Sequence, residues 1–261
     1  MADVYRYPHG APCWSELTTP APDAAEEFYG ELFGWEFEHT GVGGYVLCLL
    51  DGSPVAGIAP QPPSAAGSPP FWATYLCADD ADDVARRIRT HRGDVLAGPV
   101  DVGAPDGTQQ GRMLMARDPA GAAFGVWQPR ALAGSGVRDV HGAPAWAELL
   151  TPDPSRAAAF YADVFELAVR EEDIGMAQPY RLLLAHDRMV AGVMLTPPAV
   201  PVEAPPYWLV YVCVRDADDA VDRLGALGGQ VLAGPTPSSW GTWTVAADPQ
   251  GAVLALLAAP G

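Results

Sequence analysis

The residues best suited to chemistry occur twice in this chain, at the same spacing. The segment HGAPCWSELTTP begins at His9 and returns as HGAPAWAELLTP at His141, so the chain contains an internal duplication. Each copy offers an imidazole, an indole and a carboxylate: His9, Trp14 and Glu16, then His141, Trp146 and Glu148. Imidazoles and carboxylates bind metal ions, carboxylates transfer protons, and an indole gives a flat ligand a surface for stacking. A metal site, an acid–base site and an aromatic pocket are therefore the three possibilities.

The spacing places two of these groups on one face of a strand. WSELTT alternates as a short β-strand does, and side chains two residues apart share a face. Glu16 thus lies beside Trp14, and Glu148 beside Trp146. Each histidine precedes its tryptophan by an odd number of residues, beyond a proline, which predicts the opposite face. We expect a structural or interface role for the two histidines.

The same order of elements follows each copy. After the first strand, DAAEEFYGELFG has apolar residues at helical spacing, and three strand-like segments follow. FWATYLCA then precedes a helix beginning DADD and three further strands. Each half is therefore two βαβββ units. The predicted domains are residues 8–129 and 140–259, joined by a linker at 130–139, and 261 residues are enough for each half to have its own core.

Composition narrows the possible partners and location. A formal net charge of −17 argues against binding to nucleic acid or to an anionic membrane. The amino terminus lacks the pattern of a secretory signal, and no apolar run is long enough for a membrane span. The four cysteines include no C-x-x-C pair and are expected to be reduced core residues. We therefore expect a cytoplasmic protein.

The order of the motifs resembles the vicinal oxygen chelate superfamily, which includes glyoxalase I, bleomycin-resistance proteins and extradiol dioxygenases. The matching pattern is T-P-x-P-x-x-A-x-x-F-Y-x-x-[LV]-F after the first strand of each half, then DADD, LAGP and D-P-x-G. The layout is most similar to tandem two-domain glyoxalase-like proteins of actinobacteria, which are often labelled hydroxylases. The resemblance implies an α+β fold of two glyoxalase-like domains. In each, two βαβββ units form an open, cupped sheet with helices outside and a ligand cavity within.

The resemblance also implies where metal-dependent relatives hold their metal. Counted from the F-Y and D-P-x-G motifs, those positions hold residues without a suitable ligand atom: Trp14, Ala73 and Gly125 in the first half, and Trp146, Leu209 and Ala255 in the second. We therefore predict no metal and no cofactor.

Aromatic residues are predicted to line the cups instead. The ligand-binding candidates lie on the inward strand faces or on the shortened last loop of the second half: Trp14, Glu16, Tyr75, Trp127, Trp146, Glu148, Tyr211, Trp240 and Trp243. Such walls suit stacking against a flat, partly apolar molecule. The hypothesis is metal-independent binding or sequestration of a hydrophobic aromatic or planar small molecule, by a monomer or homodimer.

Two alternatives remain open. The chain could be an isomerase, lyase or oxygenase-type enzyme of secondary metabolism, with Glu16 or Glu148 as the acid–base group. No second titratable group is expected to repeat beside these glutamates, and Arg112 is a candidate partner for them. The chain could also be a scaffold with filled cups. That reading suits the second half best, because its inward positions are uniformly apolar: Leu150, Leu209, Ala255 and Leu257.

Overall fold

The computed structural model describes residues 6–174, 178–198, 200 and 204–260. Within those residues the chain forms sixteen strands, four α-helices and one short 3-10 helix, Pro63–Ala65. The first half contains β1 (Pro12–Thr19), α1 (Pro22–Phe33), β2 (Glu36–His39), β3 (Val46–Leu50), β4 (Ser53–Pro60), β5 (Phe71–Cys77), α2 (Ala81–Thr90), β6 (Asp94–Gly103), β7 (Gln109–Arg117) and β8 (Ala123–Pro129). The second half contains β9 (Pro144–Thr151), α3 (Pro154–Phe165), β10 (Ala168–Glu172), β11 (Tyr180–Ala185), β12 (Arg188–Leu195), β13 (Tyr207–Val214), α4 (Ala217–Ala226), β14 (Gln230–Ser238), β15 (Gly241–Ala247) and β16 (Val253–Ala258).

Each half forms one eight-stranded sheet. The strand orders are β2-β3-β4-β1-β5-β8-β7-β6 and β10-β11-β12-β9-β13-β16-β15-β14. The two βαβββ units of a half join where β1 pairs antiparallel with β5, and likewise β9 with β13. Within the units, β1 pairs parallel with β4, and β5 with β8. The predicted fold class, α+β with two tandem open sheets, is confirmed.

Local sequence sets where the helices begin and end. A proline lies in the first turn of α1, and Gly34 ends that helix with a left-handed backbone (φ 76°) that favours glycine. In α2, the side chain of Asp80 accepts hydrogen bonds from the backbone N–H groups of Asp82 and Asp83. The apolar stripe of each helix then packs on the sheet face opposite to Glu16 and Glu148.

The two halves share their cores. One core combines α2, β7 and β8 of the first half with α3, β9 and β12 of the second. The other combines α1, β3 and β4 with α4, β15 and β16. The two larger cores thus combine both halves, although the length would allow separate ones, and a smaller cluster of Leu150, Leu209 and Ala255 lies in the second half alone. Periodicity indicates which face of an element is buried, but it does not show which element covers that face.

Two repeated motifs meet across this shared interior. The hydroxyl of Tyr29, from the first F-Y pair, donates to Asp248 Oδ2 of the second D-P-x-G turn at 2.9 Å. Tyr161 makes the reciprocal bond to Asp118 Oδ2 at 3.4 Å. Each tyrosine oxygen also accepts an indole N–H, from Trp72 at 3.2 Å or from Trp208 at 3.0 Å. These motifs thus join the two halves.

The segment between the halves is packed against the first sheet. The backbone N–H of Ser135 donates to Cys13 O at 2.8 Å, and that of Gly136 donates to Pro54 O at 2.7 Å. The Tyr7 hydroxyl donates to Ser135 O.

No helix in the described ranges is long and apolar enough to cross a membrane. The amino-terminal segment assessed for a secretory signal lies partly outside the described residues.

Candidate ligand-binding site

A polar network lies on the inner face of the first sheet, which we call the first cup. It contains Trp14, Glu16, Tyr45 and Tyr75. The Trp14 Nε1–H donates to Tyr45 Oη at 3.0 Å, and the Tyr75 hydroxyl donates to Glu16 Oε1 at 3.2 Å. The Tyr45 hydroxyl also interacts with the Glu16 carboxylate and acts to lower its pKa. Indole, carboxylate and two phenols thus form one connected cluster.

The inner face of the second sheet, the second cup, repeats this network. The Trp146 Nε1–H donates to Tyr180 Oη at 3.1 Å, and the Tyr211 hydroxyl donates to Glu148 Oε2 at 2.8 Å. Tyr180 is the second phenol that interacts with Glu148 and acts to lower its pKa. The expectation that no titratable group repeats beside the glutamates is therefore wrong, because each has two tyrosines at matching positions.

Arg112 has other partners than Glu16. Its guanidinium group donates to Asp82 from Nε at 2.9 Å and to Asp101 from Nη1 at 3.1 Å. The suggested pairing of Arg112 with a cup glutamate is thus wrong, because two carboxylates on α2 and β6 bind this arginine instead.

Glycines make room for the network rings. A Cβ atom on Gly57 would overlap the Tyr45 hydroxyl, and one on Gly192 would overlap the Tyr180 hydroxyl. A Cβ on Gly125 would likewise overlap the Tyr75 ring. The space at Gly125, a position where the resemblance implies a metal ligand, is therefore filled by a phenol ring.

Tyr45 and Tyr180 are the functional candidates that sequence reasoning missed. Each lies at the start of a strand, in or beside a loop without a clear pattern. The signal was nevertheless present, because each tyrosine precedes the glycine of its V-A-G motif, Gly57 or Gly192, by the same number of residues. A duplicated Tyr and Gly pair at fixed spacing indicates a ring packed on a backbone without a side chain.

Burial changes the protonation of this network. It raises the pKa of Glu16 and of Glu148, while the hydrogen bonds from the tyrosines act in the opposite direction without cancelling it. Burial, and then the neighbouring carboxylate, raises the pKa of the Tyr45 and Tyr75 hydroxyls as well. Each glutamate is thus a group that can hold a proton or accept a donor from a ligand.

The two cups differ in what covers the carboxylate. Glu16 is half-buried, and the residue opposite it on β5 is Ala73. Glu148 is only 6% exposed, and the residue opposite it on β13 is Leu209, which is itself 2% exposed. Two residues further along the strand, the first cup has half-buried Thr18 where the second has buried Leu150. Glu16 is thus less completely covered than Glu148.

The remaining aromatic candidates are spread differently in the two halves. Trp127 is 7% exposed, lies over Gly111 and donates from Nε1 to Leu132 O at 2.9 Å. Trp243 is half-buried on β15, facing Leu257 of β16. Trp240 lies at the turn between β14 and β15 and is 53% exposed. The networks thus bring together six of the nine candidates: Trp14, Glu16, Tyr75, Trp146, Glu148 and Tyr211.

The described residues contain no cluster of three or more His, Cys, Asp or Glu side chains that could hold a metal ion. His9 accepts a hydrogen bond at Nδ1 from the Asp79 backbone N–H at 3.1 Å. Its ring lies 5.6 Å from that of Phe165 in the other half, a contact in keeping with an interface role. His141 lies half-buried at the corresponding position.

Comparisons with known proteins match nearly the whole chain. The family described as "Glyoxalase/Bleomycin resistance protein/Dioxygenase superfamily" matches residues 13–126, and "Glyoxalase-like domain" matches residues 146–257. "Putative glyoxylase CFP32" of Mycobacterium bovis is 40% identical over 258 residues, covering 96% of this chain and 95% of that protein. "Anthracycline biosynthesis protein DnrV" of Streptomyces peucetius is 34% identical over 263 residues, covering 95% and 92%.

Solved structures share the fold at low sequence identity. The Mn(II)-bound glyoxalase from Novosphingobium aromaticivorans superposes with a TM-score of 0.66 at 18% identity, covering 96% of this chain and 82% of that one. The 2,3-dioxygenase LapB from Pseudomonas sp. KL28 also gives 0.66, at 13% identity, covering 98% and 94%. At these identities the likeness concerns the fold alone.

Proposed function

Because the chain belongs to the glyoxalase/bleomycin resistance protein/dioxygenase superfamily, we propose that it binds a planar aromatic small molecule in its first cup, without a bound metal. The observation that carries the proposal is the half-buried Glu16, bonded to Tyr75 and flanked by small residues on the inner face. A carboxylate among aromatic side chains provides one polar anchor in an otherwise apolar surface, as small-molecule sites do.

The side chains around Glu16 supply apolar contact. Tyr45, Leu47, Met113 and Met115 are half-buried, so each has surface to cover with a ligand. Methionine adapts to irregular shapes, and phenol rings stack against flat ones. Trp14 and Tyr75 lie beneath as a rigid floor, because their polar atoms are held by the network.

Binding without a metal is supported by the residues at the expected ligand positions. Trp14, Ala73 and Gly125 have no side-chain atom that binds a metal ion in proteins. The Tyr75 ring fills the space beside the last of these, Gly125. Two relatives are named for anthracycline biosynthesis, and anthracyclines are fused-ring aromatic compounds, which agrees with a planar ligand.

The test is a titration of the full-length protein with planar aromatic compounds, followed by tryptophan fluorescence. We expect saturable quenching that survives dialysis against EDTA, with metal content measured on the same sample. Ala73→Leu gives the first cup the residue of the second and should weaken binding at least about tenfold, a loss of about 1.4 kcal/mol. Ala120→Leu, in the exposed turn before β8, is the matched control and should bind normally. Lack of quenching throughout, or equal binding by both variants, contradicts the proposal.

A second candidate function is acid–base catalysis on such a ligand. The raised pKa of Glu16, together with its contact to the Tyr75 hydroxyl, favours it, because a carboxyl group that holds its proton nearer neutral pH is suited to proton transfer. Glu16→Gln would then abolish product formation while keeping most of the affinity, with Glu148→Gln as control. No turnover by the wild-type protein of any ligand found in the titration counts against catalysis and leaves binding intact.

A further inference from the structure

Resting on the proposed function, we propose that the ligand of the first cup is a planar aromatic cation whose positive charge pairs with the Glu16 carboxylate. The proposal concerns the class of ligand. It depends on the charge, the hydrogen bonding and the surroundings of Glu16.

Glu16 has no cationic partner within the part of the chain that the structure describes. The ion pairs there join arginine or histidine to other carboxylates, and none includes Glu16. Its side-chain hydrogen bond comes from a neutral phenol, Tyr75, and a second neutral phenol, Tyr45, interacts with it. Charges removed from water are normally paired, because desolvation is costly. A carboxylate that is reachable and unpaired is therefore a place for a positive group to bind.

The hydrogen-bond inventory favours a ligand that donates. The Trp14 N–H is used on Tyr45, and the Tyr75 hydroxyl is used on Glu16. A carboxylate offers about four lone-pair sites, so most of its acceptor capacity remains after this bond. An ammonium or a protonated ring nitrogen fits this surplus. A carboxylate or sulfonate does not.

The net charge of the chain acts in the same direction. The whole chain has 32 acidic residues against 15 basic ones. A field of this sign concentrates cations near the surface and repels anions.

A pH dependence follows from the neighbours of Glu16. The titratable groups that face it are the Tyr45 and Tyr75 hydroxyls, whose pKa values are raised, so they stay protonated over the range in which Glu16 titrates. On β4 and β5 the residues opposite Glu16 are Gly57 and Ala73, which do not titrate. Burial raises the pKa of Glu16, and a bound cation favours the ionised form. Cation affinity should therefore increase with pH through this raised value and then level off.

Three tricyclic probes of similar size and different charge test the proposal: proflavine as cation, phenazine as neutral compound and anthraquinone-2-sulfonate as anion. Equilibrium dialysis against the full-length protein at about 0.15 M salt measures each affinity by absorbance and limits surface binding. We expect proflavine to bind at least about tenfold more tightly than phenazine, and the sulfonate to bind least. Glu16→Gln should remove the advantage of proflavine and leave phenazine nearly unchanged. Glu148→Gln, at the covered matching position, should keep it.

The outcomes separate the two proposals. Equal affinity for proflavine and phenazine overturns the cation and leaves aromatic binding standing. Binding of none of the three at millimolar concentration overturns both. If Glu148→Gln loses the preference for proflavine as Glu16→Gln does, the assignment of the cation to Glu16 is also overturned. Should Glu16→Gln fail to fold, the wild-type pH series decides, because proflavine affinity that does not change between about pH 4.5 and 8 contradicts pairing with Glu16.

Discussion

The two cups have the same polar network under different covers. The indole–phenol bond and the phenol–carboxylate bond of the first cup both have a counterpart in the second, and Tyr45 and Tyr180 each interact with the glutamate of their cup. Only the neighbours differ, with alanine opposite the first glutamate and leucine opposite the second. The network was therefore kept in both halves independently of access to it. A structural role for it in each sheet is thus compatible with a ligand-binding role in one.

A tryptophan also lies on different strands in the two cups. In the first cup, Trp127 on β8 faces Met113 on β7. In the second cup, Trp243 on β15 faces Leu257 on β16, so the indole has exchanged strands with the aliphatic residue. Trp127 is buried over a glycine, while Trp243 stays half-exposed. Each cup therefore has one indole at this pair of strand positions, on β8 in the first half and on β15 in the second.

The largest expected effect comes from uncovering the second carboxylate. Leu209→Ala removes a buried side chain that lies opposite Glu148, and such changes cost about 2–5 kcal/mol of unfolding free energy. The variant should also bring the raised pKa of Glu148 closer to its ordinary value, because water reaches the carboxyl group. Urea unfolding measures the first effect, and the pH dependence of that unfolding measures the second. A cost below about 1 kcal/mol would show that Leu209 does not seal the second cup.

The next largest effect is expected at two matching positions on β8 and β16, the last strands of the two halves. A Cβ atom at Gly125 overlaps the Tyr75 ring, whereas the second half has Ala255 there beside Tyr211. Gly125→Ala should therefore cost about 1–3 kcal/mol through overpacking. The reverse change, Ala255→Gly, should cost about 0.5–1 kcal/mol through backbone entropy. Equal costs in parallel urea unfolding experiments would mean that Tyr75 and Tyr211 are packed alike.

Sequence reasoning predicted which side chains of a strand share a face, but not which elements pack over that face. Alternation correctly placed Glu16 on the same face as Trp14, and the repeat order predicted four βαβββ units. The shared cores were not predicted, because nothing in the helix pattern of α3 indicates that it packs against α2 of the other half. Tyr45 opens a strand that the sequence predicts, but the pattern of that strand does not show that the tyrosine packs over Gly57, opposite Glu16.

A smaller effect comes from neutralising each glutamate. The folded-state pKa of Glu148 is raised above its ordinary value of 4.5. Below pH 4.5 the glutamate is protonated in both the folded and the unfolded chain, so it does not change the free energy of unfolding. As pH rises from there to the raised value, the unfolded chain loses its proton first and stability falls. Above the raised value the loss is complete. Glu148→Gln removes this loss, so its gain in stability over wild type should increase between about pH 4.5 and 8.

Glu16→Gln should follow the same course with a smaller gain, because Glu16 is more exposed to water than Glu148. Urea unfolding at several pH values gives both curves. Constant differences from wild type across this range would mean that burial does not control the protonation of either carboxyl group.

The smallest expected effect belongs to Trp240, which sequence patterns placed among the ligand-binding candidates of the second half. Its side chain is 53% exposed at a turn, and its backbone N–H bonds to Ser238 Oγ at 3.2 Å, a contact that alanine keeps. Trp240→Ala should thus change the unfolding free energy by less than about 0.5 kcal/mol. Because the covered second cup offers the ligand no carboxylate, this variant should also bind the planar probes as tightly as wild type. Weaker binding by Trp240→Ala, measured by the same dialysis, would move the site to the rim of the second cup and reverse the assignment between the two halves.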